Sequence, residues 1–294
     1  MARYIINGGK TLHGTIRVHG AKNAVLPLFA GSILTEDQTI ISNCPNLSDV
    51  QNMGKILTHL GADLIREGSN VFIDAKNLTS YEIPCKLAKE IRSSVFLLGS
   101  VLSRMKKAII PYPGGCDIGA RPIDLHIKAL RDLNCEVEES YGYILCDSTN
   151  LKPREISLSY PSVGATENVM LLTAISSGVT VLNNSAEEPE IEELQSFLNQ
   201  MGARIEGAGT SQIRIEGVKK LSGTAYEAMP DRIVAGTYLT MVASAGGSVL
   251  LKGVNPKHIA PVIQLLRDAG ASIIECGDSL KIYSRGRLNA FGEI

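Results

Sequence analysis

One phrase recurs four times along the chain and restricts what it can fold into: Ile56-Leu-Thr-His-Leu-Gly-Ala-Asp-Leu64, Ala129-Leu-Arg-Asp-Leu-Asn-Cys-Glu-Val137, Phe197-Leu-Asn-Gln-Met-Gly-Ala-Arg-Ile205 and Leu265-Leu-Arg-Asp-Ala-Gly-Ala-Ser-Ile273. In each, an apolar helical pattern stops at a glycine, or at Asn134, and an apolar strand-like run follows. Glycine and asparagine accept the left-handed conformation that caps a helix C-terminus, so each phrase reads as a helix end followed by a strand start. The capping positions 61, 134, 202 and 270 lie 73, 68 and 68 residues apart.

Upstream of each phrase lies another apolar helical pattern, Val25 to Leu34, Ser93 to Leu102, Asn168 to Ser176 and Ile233 to Ala243. Each leads into a short β-like run: Thr39 to Ser42, Lys107 to Ile110, Val179 to Leu182 and Ser248 to Leu251. The units therefore read helix, strand, loop, helix, strand, strand. Units of this period cannot bury their own apolar faces and must pack on their sisters, so their helices are expected to share a common core. The segment Tyr4 to Val18 alternates like a pair of strands around Gly8-Gly9 and has to pair with strands elsewhere in the chain.

With 294 residues, 44% of them hydrophobic, the chain has the length for two domains and the material for real cores. Its 29 basic and 30 acidic residues nearly cancel, which argues against nucleic-acid or membrane binding through bulk charge. An anion would be held by a local cluster. The stretch Met1 to Gly14 lacks an apolar run long enough for a signal peptide, which points away from secretion. The uncharged run Ile233 to Leu251, broken by Ala245-Gly246-Gly247-Ser248, reads as a buried helix, a turn and a strand. Six cysteines, at 44, 85, 116, 135, 146 and 276, form no Cys-x-x-Cys pair and no group with histidine. Neither a metal site nor a disulfide framework is suggested, a reducing cytoplasm fits, and five of the six read as small, buried, inert thiols.

The remaining thiol, Cys116, stands in Gly114-Gly-Cys-Asp-Ile-Gly-Ala-Arg-Pro122, five residues from the Arg121 guanidinium. The charge favours the thiolate and can hold an anionic substrate, and the glycines free the backbone, so this is a candidate site for chemistry on an anion. Lys22 and Asn23 read either as an ordinary helix start, with Asn23 as cap and Lys22 solvated, or as ligand contacts. Arg92 likewise opens the second unit's first helix, where a helix N-terminus assists anion binding. Pro122 suits a first helical turn, and Asp124 either favours the helix dipole or meets a ligand hydroxyl. Pro161-Ser-Val-Gly-Ala-Thr166 holds the equivalent place in the third unit, with small residues that let a ligand approach the backbone, and Pro230-Asp-Arg232 opens the fourth. Polar or cationic residues recurring at unit starts favour a shared ligand cleft over unrelated surface features. The sequence holds no nucleotide phosphate loop, no Gly-x-Ser-x-Gly elbow and no His-Glu-x-x-His helix, and Gly207-Ala-Gly209 reads as a turn.

Four stretches, Gly20-Ala-Lys-Asn-Ala24, Pro113-Gly-Gly-Cys-Asp-Ile-Gly-Ala-Arg-Pro-Ile-Asp-Leu-His126, Pro161-Ser-Val-Gly-Ala-Thr166 and Pro230-Asp-Arg-Ile233, carry a resemblance that runs through the whole chain. It is similar to the UDP-N-acetylglucosamine 1-carboxyvinyltransferase family, the enolpyruvyl transferases that begin peptidoglycan precursor synthesis. The sister family of aromatic amino-acid synthesis shares the fold without the cysteine loop. The resemblance implies an α/β fold of inside-out α/β barrels with pseudo-threefold repeats, substrates bound between two such domains, and no metal or organic cofactor. It implies phosphoenolpyruvate contacts for Lys22 and Arg121 and a further contact to the sugar nucleotide for Arg92. It implies UDP-N-acetylglucosamine contacts for Asn23, Arg121, Pro122, Ile123, Asp124, Leu125, Ser162, Val163 and Gly164. Cys116 takes the place of the loop thiol that protonates or adds to phosphoenolpyruvate and is alkylated by fosfomycin. A thiol acting as the acid must begin protonated in the bound complex, so Arg121 must not depress its pKa too far.

Members of that family continue for two more repeat units, a part that carries the aspartate proposed as base for the sugar hydroxyl and further arginines that clamp phosphoenolpyruvate. By the repeat count, Lys22 to Met229 make one complete three-unit barrel, and residues 1–21 and 230–294 supply leading strands and one unit of a second. The expectation is a marginal second domain with open apolar faces that is disordered, self-associating or completed by another chain. For the 294 residues alone, binding of UDP-N-acetylglucosamine is expected in place of turnover. Tyr160-Pro161 stands where some relatives carry a lysine, which puts one contact to the nucleotide phosphates in question.

Overall fold

The computed structural model describes residues 3–5, 7–112 and 123–290, with Arg92 and Ser93 as backbone only. Strand β1 (Leu12–Arg17) comes first, and four repeats follow. The first holds α1 (Lys22–Ser32), β2 (Thr39–Ser42), α2 (Ser48–Leu60), β3 (Asp63–Glu67) and β4 (Asn70–Asp74). In the second, a short α3 (Cys85–Glu90) precedes a 3-10 turn, Arg92–Phe96, that runs into α4 (Leu97–Met105). It continues with β5 (Lys107–Pro111), α5 (Asp124–Asp132), β6 (Glu136–Ser140) and β7 (Tyr143–Asp147). The third consists of β8 (Glu155–Ser157), α6 (Val163–Thr173), β9 (Val179–Asn183), α7 (Pro189–Gln200), β10 (Arg204–Glu206), β11 (Gln212–Glu216) and β12 (Ala225–Glu227). The fourth holds α8 (Arg232–Ala245), β13 (Gly247–Lys252), a 3-10 turn at Pro256–Ile259, α9 (Ala260–Asp268), β14 (Ser272–Cys276) and β15 (Ser279–Ser284).

The four helix-ending positions take the left-handed backbone that the repeated phrase requires, with φ of 107° at Gly61, 65° at Asn134, 105° at Gly202 and 99° at Gly270. Glycine reaches that region without a Cβ clash and asparagine tolerates it, which is why the phrase admits only these two residues there. The chain divides into two compact units, Lys22–Met229 and Met1–Ala21 with Pro230–Ile294, each with its own apolar core.

In residues 22–229 the helices lie inside and the sheets outside. Helix α1 is buried from Ala24 to Ser32, α4 from Leu97 to Ser103 and α6 from Ala165 to Thr173, and the three pack on one another. A helix apolar on all sides has no face to offer water and must occupy the middle. Helix α2 shows the other pattern, burying Val50, Met53, Ile56, Leu57 and Leu60 at helical spacing along one side. The strands alternate: β11 turns Ile213 and Ile215 inward and Gln212 and Arg214 outward. Three sheets surround the helices, in the orders β12-β2-β4-β3, β5-β7-β6 and β10-β11-β9-β8. Parallel pairing of β12 with β2, Tyr226 opposite Ile41, returns the end of the third repeat to the sheet of the first and closes the ring. Asn43 Nδ2 donates to the Ala228 carbonyl at 2.8 Å and Thr35 Oγ1 to that of Leu221 at 2.9 Å, fastening the closure.

The other unit is built on one sheet, β1-β13-β15-β14, in which β1 runs parallel to β13 with Leu12 opposite Gly247. The pair of strands expected around Gly8-Gly9 is corrected: among the described residues before Val18, only β1 is a strand. The free edge of β13 takes it, so no partner within the segment is needed. The run Ile233 to Leu251 forms the expected helix, turn and strand, but the helix is not buried as expected. Ala235, Leu239, Val242 and Ala243 of α8 are buried, whereas Ile233 and Met241 are 52% and 45% exposed. Among the described residues no helix is long and apolar enough to cross a membrane.

Candidate active site

Helix α1 begins at Lys22, so Asn23 sits exposed within its first turn and is not its cap, which corrects the plain reading of that position. Lys22 is not simply solvated either. Its Nζ lies 2.8 Å from Asp49 Oδ2 in the first turn of α2, both side chains about a third exposed at 38% and 32%. Sequence reasoning missed Asp49; the only signal was an acidic residue at a helix start, which the dipole alone explains.

Arg92 opens the 3-10 turn that continues into α4, so the backbone carries it to a helix start as expected, although its side chain is outside the described atoms. Ile123 is buried ahead of α5, Asp124 is exposed in its first turn and Leu125 is half-buried. Ser162 caps α6, its Oγ accepting from the Ala165 N–H at 3.4 Å, and Val163 and Gly164 form the first turn. Cys116, Arg121 and Pro122 lie outside the described residues.

Three of these helix starts meet. Gly164 faces both His126 and Phe96: a Cβ added there would stand 2.9 Å from His126 Cε1 and 2.9 Å from Phe96 Cε1. A residue that sequence reasoning treated as helix filler, Asn168, ties the same three segments. Its Oδ1 accepts from the Gly99 N–H at 2.6 Å, and its Nδ2 donates to the Val95 carbonyl at 3.0 Å and to His126 Nδ1 at 2.8 Å. A backbone N–H can only donate, so the amide orientation is fixed, and His126 Nδ1 must then be the acceptor, with its proton on Nε2. The signal for Asn168 was available: Glu167-Asn168 is a polar pair inside an otherwise apolar helix.

Glu167 is the second polar member of that pair. It is fully buried, and among the described residues neither carboxylate oxygen has a hydrogen-bond partner. Burial, and then the charges of Glu190 and Glu188, raise its pKa well above the ordinary value, favouring the neutral acid over the carboxylate. Glu193 is also raised by burial, against donation from the Met229 N–H at 2.9 Å and the Tyr226 hydroxyl at 3.2 Å. Of the thiols expected to be inert, Cys135 and Cys146 are buried and pushed up to about 12 chiefly by burial. Cys44 is buried and raised in spite of Arg66. Cys85 is only half-buried and Cys276 is exposed, so the expectation of five buried thiols is corrected at those two. No group of three or more metal-ligating side chains occurs among the described residues.

A family model described as EPSP synthase (3-phosphoshikimate 1-carboxyvinyltransferase) matches residues 6–291. The chain is 50% identical over 290 residues to UDP-N-acetylglucosamine 1-carboxyvinyltransferase 2 of Caldanaerobacter subterraneus subsp. tengcongensis, covering 99% of this chain and 70% of that protein. It is 43% identical over 285 residues to UDP-N-acetylglucosamine 1-carboxyvinyltransferase 1 of Carboxydothermus hydrogenoformans, covering 97% and 68%. Among solved structures, the enolpyruvyl transferase NikO from Streptomyces tendae superposes with a TM-score of 0.84 at 22% identity, over 95% of this chain and 67% of that one. EPSP synthase from Acinetobacter baumannii superposes with a TM-score of 0.70 at 20% identity, over 96% and 66%. At those identities the two structures speak for the fold.

Proposed function

The chain belongs to the EPSP synthase family, and from that premise we propose that it serves enolpyruvyl transfer from phosphoenolpyruvate to the 3-hydroxyl of UDP-N-acetylglucosamine, an early step of peptidoglycan precursor synthesis. The observation that carries this reading is the meeting of the Arg92–Phe96 turn, the start of α5 and the start of α6 within one compact unit. The choice of acceptor sugar rests on the similarity to the two carboxyvinyltransferases named above.

The chemistry asks little of a cofactor. The sugar 3-oxygen adds to C2 of the enol while C3 takes a proton; phosphate then leaves C2 as C3 gives that proton up. This path needs an acid for C3, a base for the hydroxyl, and cations for phosphate and carboxylate. In the proposal Cys116 is the acid, and Lys22 and Arg121 are the cations. Lys22 is held by a carboxylate about a third exposed, so exchanging Asp49 for a phosphate costs at most about 1 kcal/mol. The N-terminus of α1 behind it adds a favourable field for an anion. Asp124, exposed in the first turn of α5, and the small Ser162–Gly164 turn receive the nucleotide sugar, together with Asn23, Arg92, Pro122, Ile123 and Leu125.

In the unit containing residues 230–294, α8 buries Ala235, Leu239, Val242 and Ala243 along one side. The test is calorimetric titration with UDP-N-acetylglucosamine, followed by phosphate release from phosphoenolpyruvate with and without the sugar nucleotide, using Cys116→Ser as control. Binding of UDP-N-acetylglucosamine supports the proposed acceptor site. Release that needs both substrates and Cys116 extends it to full transferase activity of this chain. No binding to the folded protein contradicts it.

A further inference from the structure

We infer that Asn168 is a positioning residue for the nucleotide-sugar site, a role that rests on the functional reading above. The residue is 2% exposed, stands in the second turn of α6, and its carboxamide contacts three chain segments distant in sequence. Oδ1 holds the Gly99 N–H of α4, one Nδ2 hydrogen holds the Val95 carbonyl at the end of the 3-10 turn that carries Arg92, and the other holds His126 Nδ1 in the first turn of α5. The Gly164 carbonyl of its own helix lies at a longer 3.3 Å from Nδ2. One amide therefore fixes the Arg92 turn and the Asp124 turn against the Ser162–Gly164 turn, and it dictates which ring nitrogen of His126 bears the proton.

A merely structural bond between the same helices exists for comparison. Ser103 Oγ of α4 donates to the Leu172 carbonyl of α6 at 3.0 Å, one turn further along both helices and equally buried. If Asn168 only glued α4 to α6, losing it and losing Ser103 would have the same consequences. If it positions the three turns, losing it also loosens the ligand site, because turns displaced by a fraction of an ångström no longer present their groups together.

The experiment compares the full chain with Asn168→Ala, Asn168→Asp and Ser103→Ala, reading UDP-N-acetylglucosamine affinity by calorimetry, thermal stability, and the His126 ring nitrogens by NMR. The expected result is an affinity loss of about tenfold or more in Asn168→Ala, against less than about twofold in Ser103→Ala. Asn168→Asp keeps the acceptor for Gly99 and the side-chain shape, so it supplies the affinity reading if the alanine variant does not fold. In Asn168→Ala, His126 Nδ1 loses the donor at 2.8 Å, and its nitrogen signal is expected to shift toward that of an unbonded ring nitrogen. Equal affinities in the Asn168 and Ser103 variants, or an unchanged His126 Nδ1 signal in Asn168→Ala, overturn the inference. A wild-type chain that binds no UDP-N-acetylglucosamine overturns the functional reading instead, and the His126 Nδ1 signal then still decides whether Asn168 governs His126.

Discussion

Helices α6 and α8 hold the same place in their repeats and are written in the same apolar alphabet, yet one is buried on all sides from Ala165 to Thr173 and the other on one side only. The difference lies in their surroundings. Within residues 22–229, α6 has α1 and α4 against it, and three sister helices exclude water from one another. In its own unit α8 rests on β13, β15 and α9 and keeps Ile233 and Met241 in contact with solvent. The first helix of a repeat is thus composed for a ring of three, and burial follows from how many sisters share its unit.

The comparison is broken most directly by adding atoms to glycines of the two regions. A Cβ at Gly99 in α4 would stand 2.4 Å from the Asn168 carbonyl oxygen, which is backbone and cannot swing aside. Gly99→Ala is therefore expected to cost about 3 kcal/mol or more in urea denaturation followed by circular dichroism. A Cβ at Gly236 in α8 meets no atom of the described residues within 4 Å. Gly236→Ala is expected to stabilise by about 0.5–1 kcal/mol through helix propensity. A destabilised Gly236→Ala would mean that α8 is covered.

Removing atoms sharpens the same contrast. Leu171→Ala in the buried centre of α6 is expected to lose about 2–5 kcal/mol, while Met241→Ala on the open side of α8 stays within about 0.5 kcal/mol. Comparable losses in the two melts would remove the distinction.

The buried acid tests how dry the centre is. Glu167 has a folded-state pKa raised above the ordinary 4.5, so its share of stability is whole below that value and falls as pH rises toward the folded-state pKa. The loss runs at about 1.4 kcal/mol per pH unit in that window. Glu167→Gln removes this slope, so the variant is expected to be more stable than wild type at pH 8, with the advantage shrinking toward pH 4. Parallel stability curves for the two proteins would mean that water or a cation reaches the carboxylate.

The smallest effect is expected at the surface of α1. Asp49→Ala breaks a partly exposed pair with Lys22 and should cost less than about 1 kcal/mol of stability. Because it frees the Lys22 ammonium, it is not expected to weaken phosphoenolpyruvate binding. A larger loss of that binding than of stability would make Asp49 part of the site.

The repeat was legible because its signals are local: a left-handed cap at Gly61, Asn134, Gly202 and Gly270 and an apolar run after each can be read from neighbouring residues. The strand runs follow from the same kind of signal and fall within a residue of their observed ends. Helix starts were less legible. Helix α6 begins at Val163, five residues before the expected Asn168, because its first turn is made of small and polar residues that carry no apolar pattern. The partnership of β1 with β13 and the return of β12 to β2 are long-range pairings that no local pattern records. In the site, the turns of Arg92, Asp124 and Ser162 were legible as helix starts. Asn168, His126 and Asp49 act through partners on other elements, and only the fold brings them together.

The measurement that tests this account most directly is amide hydrogen exchange on the full chain, with and without UDP-N-acetylglucosamine. The account predicts slowest exchange in α1, α4 and α6, faster exchange in α8, and added protection by the nucleotide sugar confined to the Arg92–Phe96 turn and the first turns of α1, α5 and α6. Exchange in α8 as slow as in α6, or ligand protection that bypasses those turns, would contradict it.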